Sequence, residues 1–383
     1  TTGAFVNDNS NTKGIAWGDY NNDGDLDAFI STNLPSTSNP NVHCFLYQNN
    51  CDGNFTNIKA IPGNITTDIG GGALASYWVD INNDNNLYLF VIPDPGFGNF
   101  NNRLYINNGD GSFRRDTNLF ITKFNSFGGA WADYNNDGKI DLITTRNPYF
   151  ALCKNNGNGI FTPDSSSAGL SYTNGNFIWG DYDNDGYMDL LNMRFYPPID
   201  SVWLFKNNRD GTFKRIYNDT IQKYALSYGG AWIDYDNDLN LDLFIRNAFG
   251  THNYLYHNNG NGVFTNANCG ELVTDVISNN GGCAWGDYDN DGYIDVFVSD
   301  FRHNALYHNN GDGTFSKVIN EIVTNDVLCE SYGATFADFD NDGDLDLFVP
   351  NSDGAPNNFF YLNNGNSNKW IDIICHGIKS NSM

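Results

Sequence analysis

Short apolar runs recur along this chain, each closed off by a polar stretch rich in Asn, Asp and Gly; Leu345-Asp346-Leu347-Phe348-Val349 after Asn341-Asp342-Gly343-Asp344 is typical. Runs of that length between turn residues read as strands, and no segment has apolar positions at helical spacing. Two phrases organise them. The first, Trp-Gly-Asp-Tyr-Asp-Asn-Asp-Gly-x-x-Asp with drift, has its first Asp at Asp19, Asp80, Asp133, Asp181, Asp234, Asp287 and Asp338. Two residues earlier stands an aromatic, Trp17, Trp78, Trp131, Trp179, Trp232, Trp285 or Phe336. The second, Leu-Tyr-x-Asn-Asn-Gly-Asp-Gly-x-Phe, begins at Leu46, Leu104, Leu152, Leu204, Leu255, Leu306 and, shortened, Phe360.

The first phrase gives a strand, a polar Gly-containing loop and a second strand; the other gives a strand, an Asn-Gly or Asp-Gly turn and a fourth strand. A unit of four short strands repeated seven times predicts an all-β fold, a seven-bladed β-propeller of four-stranded antiparallel blades, because each small sheet buries both faces only against its neighbours. A linear β-solenoid fits less well, since its repeats are shorter and lack hairpin turns. The whole of residues 1–383 is then one domain. Trp370-Ile371-Asp372-Ile373-Ile374-Cys375 is the expected fourth strand of blade seven, and residues 1–6 either pair beside it or lead into blade one.

Composition narrows the function. The 383 residues carry 45 acids against 20 bases, a formal charge of −25, and no basic run. That balance disfavours nucleic acid and anionic membrane surfaces and favours cations as partners. No apolar stretch approaches the roughly 20 residues that cross a bilayer, and the opening Thr-Thr-Gly-Ala-Phe lacks the charged and apolar regions of a signal peptide, as expected of a mature or excised segment. The seven Cys have no metal-ligand spacing; Cys153 and Cys283 are expected to pack as small hydrophobes, and Cys44 with Cys51 is the one suggested pair.

More than half of the acids lie in the first phrase. At loop four, positions 1, 3, 5 and 9 are Asp181, Asp183, Asp185 and Asp189, and Tyr187 offers its carbonyl at position 7. Hard oxygens converging from alternate residues of a tight turn suit Ca2+. The same reading covers Asp287, Asp289, Asp291, Tyr293 and Asp295, and Asp338, Asp340, Asp342, Asp344 and Asp346. Loops one and three place Asn at position 3: Asp19, Asn21, Asp23, Asp25, Asp27 and Asp133, Asn135, Asp137, Lys139, Asp141. These five are complete Ca2+ sites by sequence. Loop five, Asp234, Asp236, Asp238, Asn240 and Asp242, has Leu239 where Gly is expected, so a weaker or distorted site is predicted. Loop two ends in Tyr88 with Asn85 at position 6 and is degenerate. The ions are expected to be architectural.

Together the two phrases resemble the FG-GAP/VCBS repeat of the integrin α-subunit propeller and of many secreted bacterial proteins, over nearly the whole chain. The stretch from Asn363 to Asn381 also resembles the start of an ASPIC/UnbV domain. The resemblance implies calcium-stabilised propellers, extracellular or at the cell surface, used for adhesion or ligand binding, and it assigns calcium contacts to the loop positions above.

If the acidic loops join strands 1 and 2 on one face, the more variable connections between strands 2 and 3 lie on the other. Four carry Arg near aromatics: Arg146 with Tyr149, Arg194 with Phe195 and Tyr196, Arg246 with Phe249, and Arg302. They form a candidate arc for glycans or acidic ligands; the plainer alternative is that each Arg stiffens its own loop. No nucleophile elbow, paired-His metal motif or phosphate-cradling loop is present, so a binding or adhesion module is expected rather than an enzyme. His257 and His308 read as scaffold. The alternative function is a structural subunit of a surface layer or filament, assembled through homotypic contacts.

Overall fold

The computed structural model describes residues 12–32, 44–50, 54–58, 65–66, 72–94, 100–146, 149–164, 169–170, 175–193, 202–218, 220–221, 227–247, 251–260, 262–276, 281–301, 303–319, 323, 331–351, 358–366 and 368. Within them the chain forms seven antiparallel sheets in sequence order. Blade one consists of Thr12–Gly18, Asp27–Thr32, Phe45–Asn49 and Phe55–Asn57. The others repeat its order, down to blade five with Ser227–Ile233, Asp242–Asn247, Tyr254–Asn258 and Phe264–Asn266. Blade seven has three described strands, Thr335–Ala337, Asp346–Val349 and Phe359–Tyr361. The expected fourth, Trp370–Cys375, and the opening residues 1–6 lie outside the described residues, as does Cys51 of the suggested Cys44 pair.

Register is the same in every blade. The phrase-one aromatic pairs with the residue after the ninth loop position: Trp17 with Ala28, Trp179 with Leu190, Trp232 with Leu243, Phe336 with Leu347. First strands touch between blades one and two, three and four, four and five, and six and seven, as innermost strands of a ring do. Second strands such as Asp27–Thr32 are buried along their whole length, which explains their unbroken apolar runs.

Each blade packs on the next through its aromatic. Trp78 stacks on Tyr20, Trp179 on Tyr134 and Trp232 on Tyr182, with centroids 6.0, 6.1 and 6.2 Å apart. The residue before the loop is small where this happens: a Cβ on Gly180 would lie 2.5 Å from Trp232. Burying a large apolar side chain of this kind contributes about 1.5–3 kcal/mol. The ring closes in the same way, since Trp17 lies 4.2 Å from Phe339 and the Thr12 amide donates to the Asn351 carbonyl at 3.0 Å. Ala28, Ile30 and Tyr47 of blade one share a core with Phe339, Phe348 and Phe360 of blade seven. Cys153 is fully buried in strand three of blade three, and Cys283 lies partly buried in the first strand of blade six, each as a free thiol.

Candidate metal-binding loops

All seven phrase-one loops adopt one backbone. The Asp at position 1 accepts from the amides of positions 5 and 6; in loop four, Asp185 and Gly186 donate to Asp181 at 2.8 and 2.7 Å. The Asp at position 5 accepts from position 7, as Tyr187 donates to Asp185 at 3.1 Å. Position 4 is Asn throughout and takes a left-handed conformation, φ +55° to +61°, which Asn tolerates better than most residues.

The side chain of that Asn reaches the next loop. Asn83, Asn136 and Asn237 donate to the carbonyls of Gly138, Gly186 and Gly292 at 2.7–2.9 Å, and Asn341 returns from loop seven to Asp25 of loop one at 2.8 Å. A second ring runs the other way. Asn107, Asn155, Asn207, Asn258, Asn309 and Asn363 donate to the position-2 carbonyls of the preceding loops at 2.7–2.8 Å. Asn49 closes it on Phe339 at 2.7 Å. These are the first Asn of the second phrase, to which the sequence reading assigns no role. Its invariance across seven copies was the available signal.

The backbone amide of the same Asn donates to the ninth-position Asp, as Asn207 does to Asp189 at 2.7 Å. That Asp is fully buried in loops one and three to six, and nearly so in loop seven. Burial, partly offset by this amide and reinforced by neighbouring carboxylates, pushes Asp27, Asp189, Asp242 and Asp346 up to about 7 and Asp141 and Asp295 to about 8. The position-3 carboxylates Asp236, Asp289 and Asp340 are raised by burial as well.

Residues here fit a hard divalent cation. The Oδ2 atom of Asp189, in a side chain with no exposure, has no hydrogen-bond donor, and the Oδ1 atoms of Asp183, Asp236, Asp289 and Asp340 are also buried without one. In loops one, four and five, ligand atoms of Asp19, Asp23 and Asp27, of Asp181, Asp183 and Asp189, and of Asp234, Asp236 and Asp238 lie within 4.8 Å of one another. Two oxygens on opposite sides of an ion with bonds of about 2.4 Å have that separation. Where position 3 is Asn, the amide supplies a donor instead: Asn135 donates to Asp141 at 2.7 Å.

Loop five differs from expectation. Leu239 occupies φ +70° with its side chain 81% exposed, and its amide donates to Asp234 at 2.9 Å, as the Gly at that position does elsewhere. The turn is therefore formed and not distorted; solvent accommodates the side chain, and the cost is local backbone strain.

In five blades one further residue faces the loop, at the position before the clamping Asn. It is Gln48 in blade one, Lys154 in blade three, Lys206 in blade four, and His257 and His308 in blades five and six. Lys206 contacts both Asp183 and Asp185, and Arg209 lies 3.0 Å from Asp185. Burial acts against ionising Asp185, but Arg209 and Lys206 outweigh it and hold the carboxyl below its ordinary range. Of these, the sequence reading assigns a scaffold role to His257 and His308 and none to the others.

The proposed arginine arc is corrected at Arg246. It is the fifth residue of Asp242–Asn247, fully buried, and donates through Nη2 to the Ser299 carbonyl of blade six at 3.0 Å. The reason is register: Arg246 still lies inside the ladder opposite Gly229, whereas Arg146 ends its strand opposite Tyr149. Arg194, Phe195, Tyr196, Phe249 and Arg302 lie outside the described residues. Among the described residues no helix is long and apolar enough to cross a membrane.

The FG-GAP-like repeat family matches residues 80–144, 133–191, 234–298 and 287–349, more than half of the chain. The chain belongs to this family. A 104-residue stretch of this FG-GAP protein is 30% identical to cartilage acidic protein 1 of Xenopus tropicalis, covering 27% of the chain and only 16% of that relative. Among solved structures, the FG-GAP propeller is similar to a lectin of Agrocybe aegerita described by its specific recognition of non-reducing terminal N-acetylglucosamine. The TM-score is 0.55 at 17% identity, over 88% of this chain and 90% of the lectin. It is also similar to the extracellular domain of a putative hybrid two-component system from B. thetaiotaomicron, TM-score 0.52 at 13% identity, over 94% of this chain and 39% of that one. At these identities the likeness speaks for the fold alone.

Proposed function

We propose that this FG-GAP propeller is an extracellular binding module whose acidic loops are neutralised by Ca2+. The observation that carries the calcium reading is the bare Oδ2 of fully buried Asp189, together with the donor-less position-3 oxygens of loops four to seven. Buried carboxylates without donors are costly unless a cation takes them up. Such an ion joins positions 1, 3, 5 and 9, and so fixes the turn between strands 1 and 2; it performs no chemistry. The extracellular reading draws on the relation to cartilage acidic protein 1 and on Ca2+ levels outside cells, which keep even modest sites filled.

For the ligand, we favour a glycan on the face away from the acidic loops. The fold likeness to a sugar-recognising lectin supports this class, and variable connections on a rigid ring are where recognition commonly resides. Arg194 and Tyr196 are the residues to replace. Calcium-loaded protein on a glycan array should bind a restricted set of sugars, and Arg194→Ala with Tyr196→Ala should abolish that binding. Binding unchanged in the double variant, or none on the array, removes the glycan reading without touching the calcium one.

A further inference from the structure

Blades five and six differ from the rest in what stands above their carboxylates. His257 Nδ1 lies 3.2 Å from Asp236 Oδ2 and 3.3 Å from Asp242 Oδ1. His308 Nδ1 lies 3.3 Å from Asp289 Oδ2 and 3.2 Å from Asp295 Oδ1. Both nitrogens are buried and neither makes a hydrogen bond. The oxygens they face are not simple acceptors either, because Asp242 and Asp295 already take the amides of Asn258 and Asn309 at 2.7 Å. The two blades thus repeat one arrangement: an imidazole nitrogen aimed between a position-3 and a position-9 carboxylate, out of line with both.

We propose that these are mixed nitrogen–oxygen metal sites, built by His257 with Asp236 and Asp242 and by His308 with Asp289 and Asp295, and suited to a borderline ion such as Zn2+. The inference rests on the reading that the loops take divalent cations, and it departs from that reading in the metal chosen. Imidazole is a good ligand for Zn2+, whereas Ca2+ prefers oxygen alone. Bonds of about 2.0–2.2 Å at tetrahedral angles put ligand atoms roughly 3.3–3.5 Å apart, and the observed spacings of 3.2 and 3.3 Å are close to this. The ligand atoms of Asp236, Asp242 and His257 all lie within 4.8 Å of one another, and in blade six Asp291 also stands near the ring, its Oδ2 3.9 Å from His308 Nε2. Other blades cannot do the same. Lys206 in the equivalent position is an ammonium with no lone pair, and it already contacts Asp183 and Asp185. Gln48 offers an amide whose Nε2 lies 3.4 Å from Asp23.

Zn2+ titrated calorimetrically into the whole protein in saturating Ca2+ tests the proposal, with Ca2+ stoichiometry measured on the same samples by equilibrium dialysis. Two Zn2+ should bind despite the Ca2+. His257→Gln and His308→Gln should each remove one, and the double variant both, while His303→Gln removes none. Gln is the residue that blade one already carries at this position, so the fold should accept it. Wild-type histidine 15N NMR gives a reading independent of any variant: two imidazole resonances should move to the metal-bound range on adding Zn2+. Zn2+ stoichiometry unchanged in the double variant, complete displacement by Ca2+, or unmoved imidazole resonances would overturn the proposal. Two Zn2+ with no Ca2+ anywhere would uphold it while refuting the calcium reading of the other loops.

Discussion

Loop two has Asn85 at position 6 and Tyr88 at position 9, where loop four has Gly186 and Asp189, yet the two follow the same path. Asp84 and Asn85 donate to Asp80 at 3.2 and 2.8 Å, and Asn86 donates to Asp84 at 2.9 Å, as their counterparts do in loop four. Asn85 simply takes the left-handed conformation, φ +65°. The difference lies in charge. Asn82 donates to Asp84 at 2.8 Å and to the Tyr88 hydroxyl at 3.1 Å, and its donor-less Oδ1 is a neutral amide oxygen, whereas Asp183 and Asp189 each place a donor-less carboxylate oxygen there. Positions 1 and 5 shape the loop through backbone amides, and positions 3 and 9 concentrate its negative charge. Shape is therefore separable from charge.

If that division is right, removing divalent ions should leave the loops' architecture available but cost much stability. An ion present at ten times its dissociation constant adds about 1.4 kcal/mol per site, so several sites together add several kcal/mol. Melting in excess chelator should occur well below melting in millimolar Ca2+, and coincident curves would break the comparison. Next in size is the clamp that both kinds of loop share. Asn258→Ala deletes donations to Tyr182 and Leu241 at 2.7 and 3.0 Å and the acceptor for Gly260 at 3.1 Å. It should cost about 2–4 kcal/mol with or without calcium, because a buried carbonyl loses its donor; urea denaturation in both conditions would show the loss.

The buried ninth-position carboxylates set a pH dependence in the chelated protein. Their folded pKa values, about 7 to 8, lie above the unfolded value of 3.8. Between those limits the folded chain holds more protons than the unfolded one, so stability falls as pH rises. It is fully present below about pH 4 for these groups and is lost as pH passes 7 to 8. Denaturation midpoints in chelator should therefore drop from pH 5 to pH 8, and a flat or rising profile would contradict the burial described. The smallest effect concerns Leu239. Left-handed backbone costs an L-residue roughly 1–2 kcal/mol, and the freedom Gly gains in the unfolded chain returns about 0.5–1 kcal/mol of this. Leu239→Gly should stabilise the protein by about 0.5–1 kcal/mol, readable as a higher urea midpoint.

The fold was legible because one unit is repeated seven times, and a drifting phrase declares its fixed positions. Strand order and the acidic loops followed from those positions alone. The Asn clamps were not legible, since Asn-Asn-Gly is also a turn signal and local pattern does not reveal a partner some 75 residues away, as between Asn363 and Tyr288. His257 and His308 were passed over for a related reason. Their equivalence between repeats marked them as scaffold, and only the packing of strand three beneath the loop shows what the rings face. Arg246 was misplaced because Asn247, which reads as the start of a turn, is still paired in the ladder opposite Ser227.

Counting ions tests the central claim most directly. Ca2+ bound per chain, measured by equilibrium dialysis on wild type and on Asn85→Gly with Tyr88→Asp, should be five or six for wild type where no other metal competes, and one more for the restored loop two. No bound Ca2+ in wild type, or no gain on restoring loop two, would contradict the claim that positions 3 and 9 hold cations on a loop already shaped by positions 1 and 5.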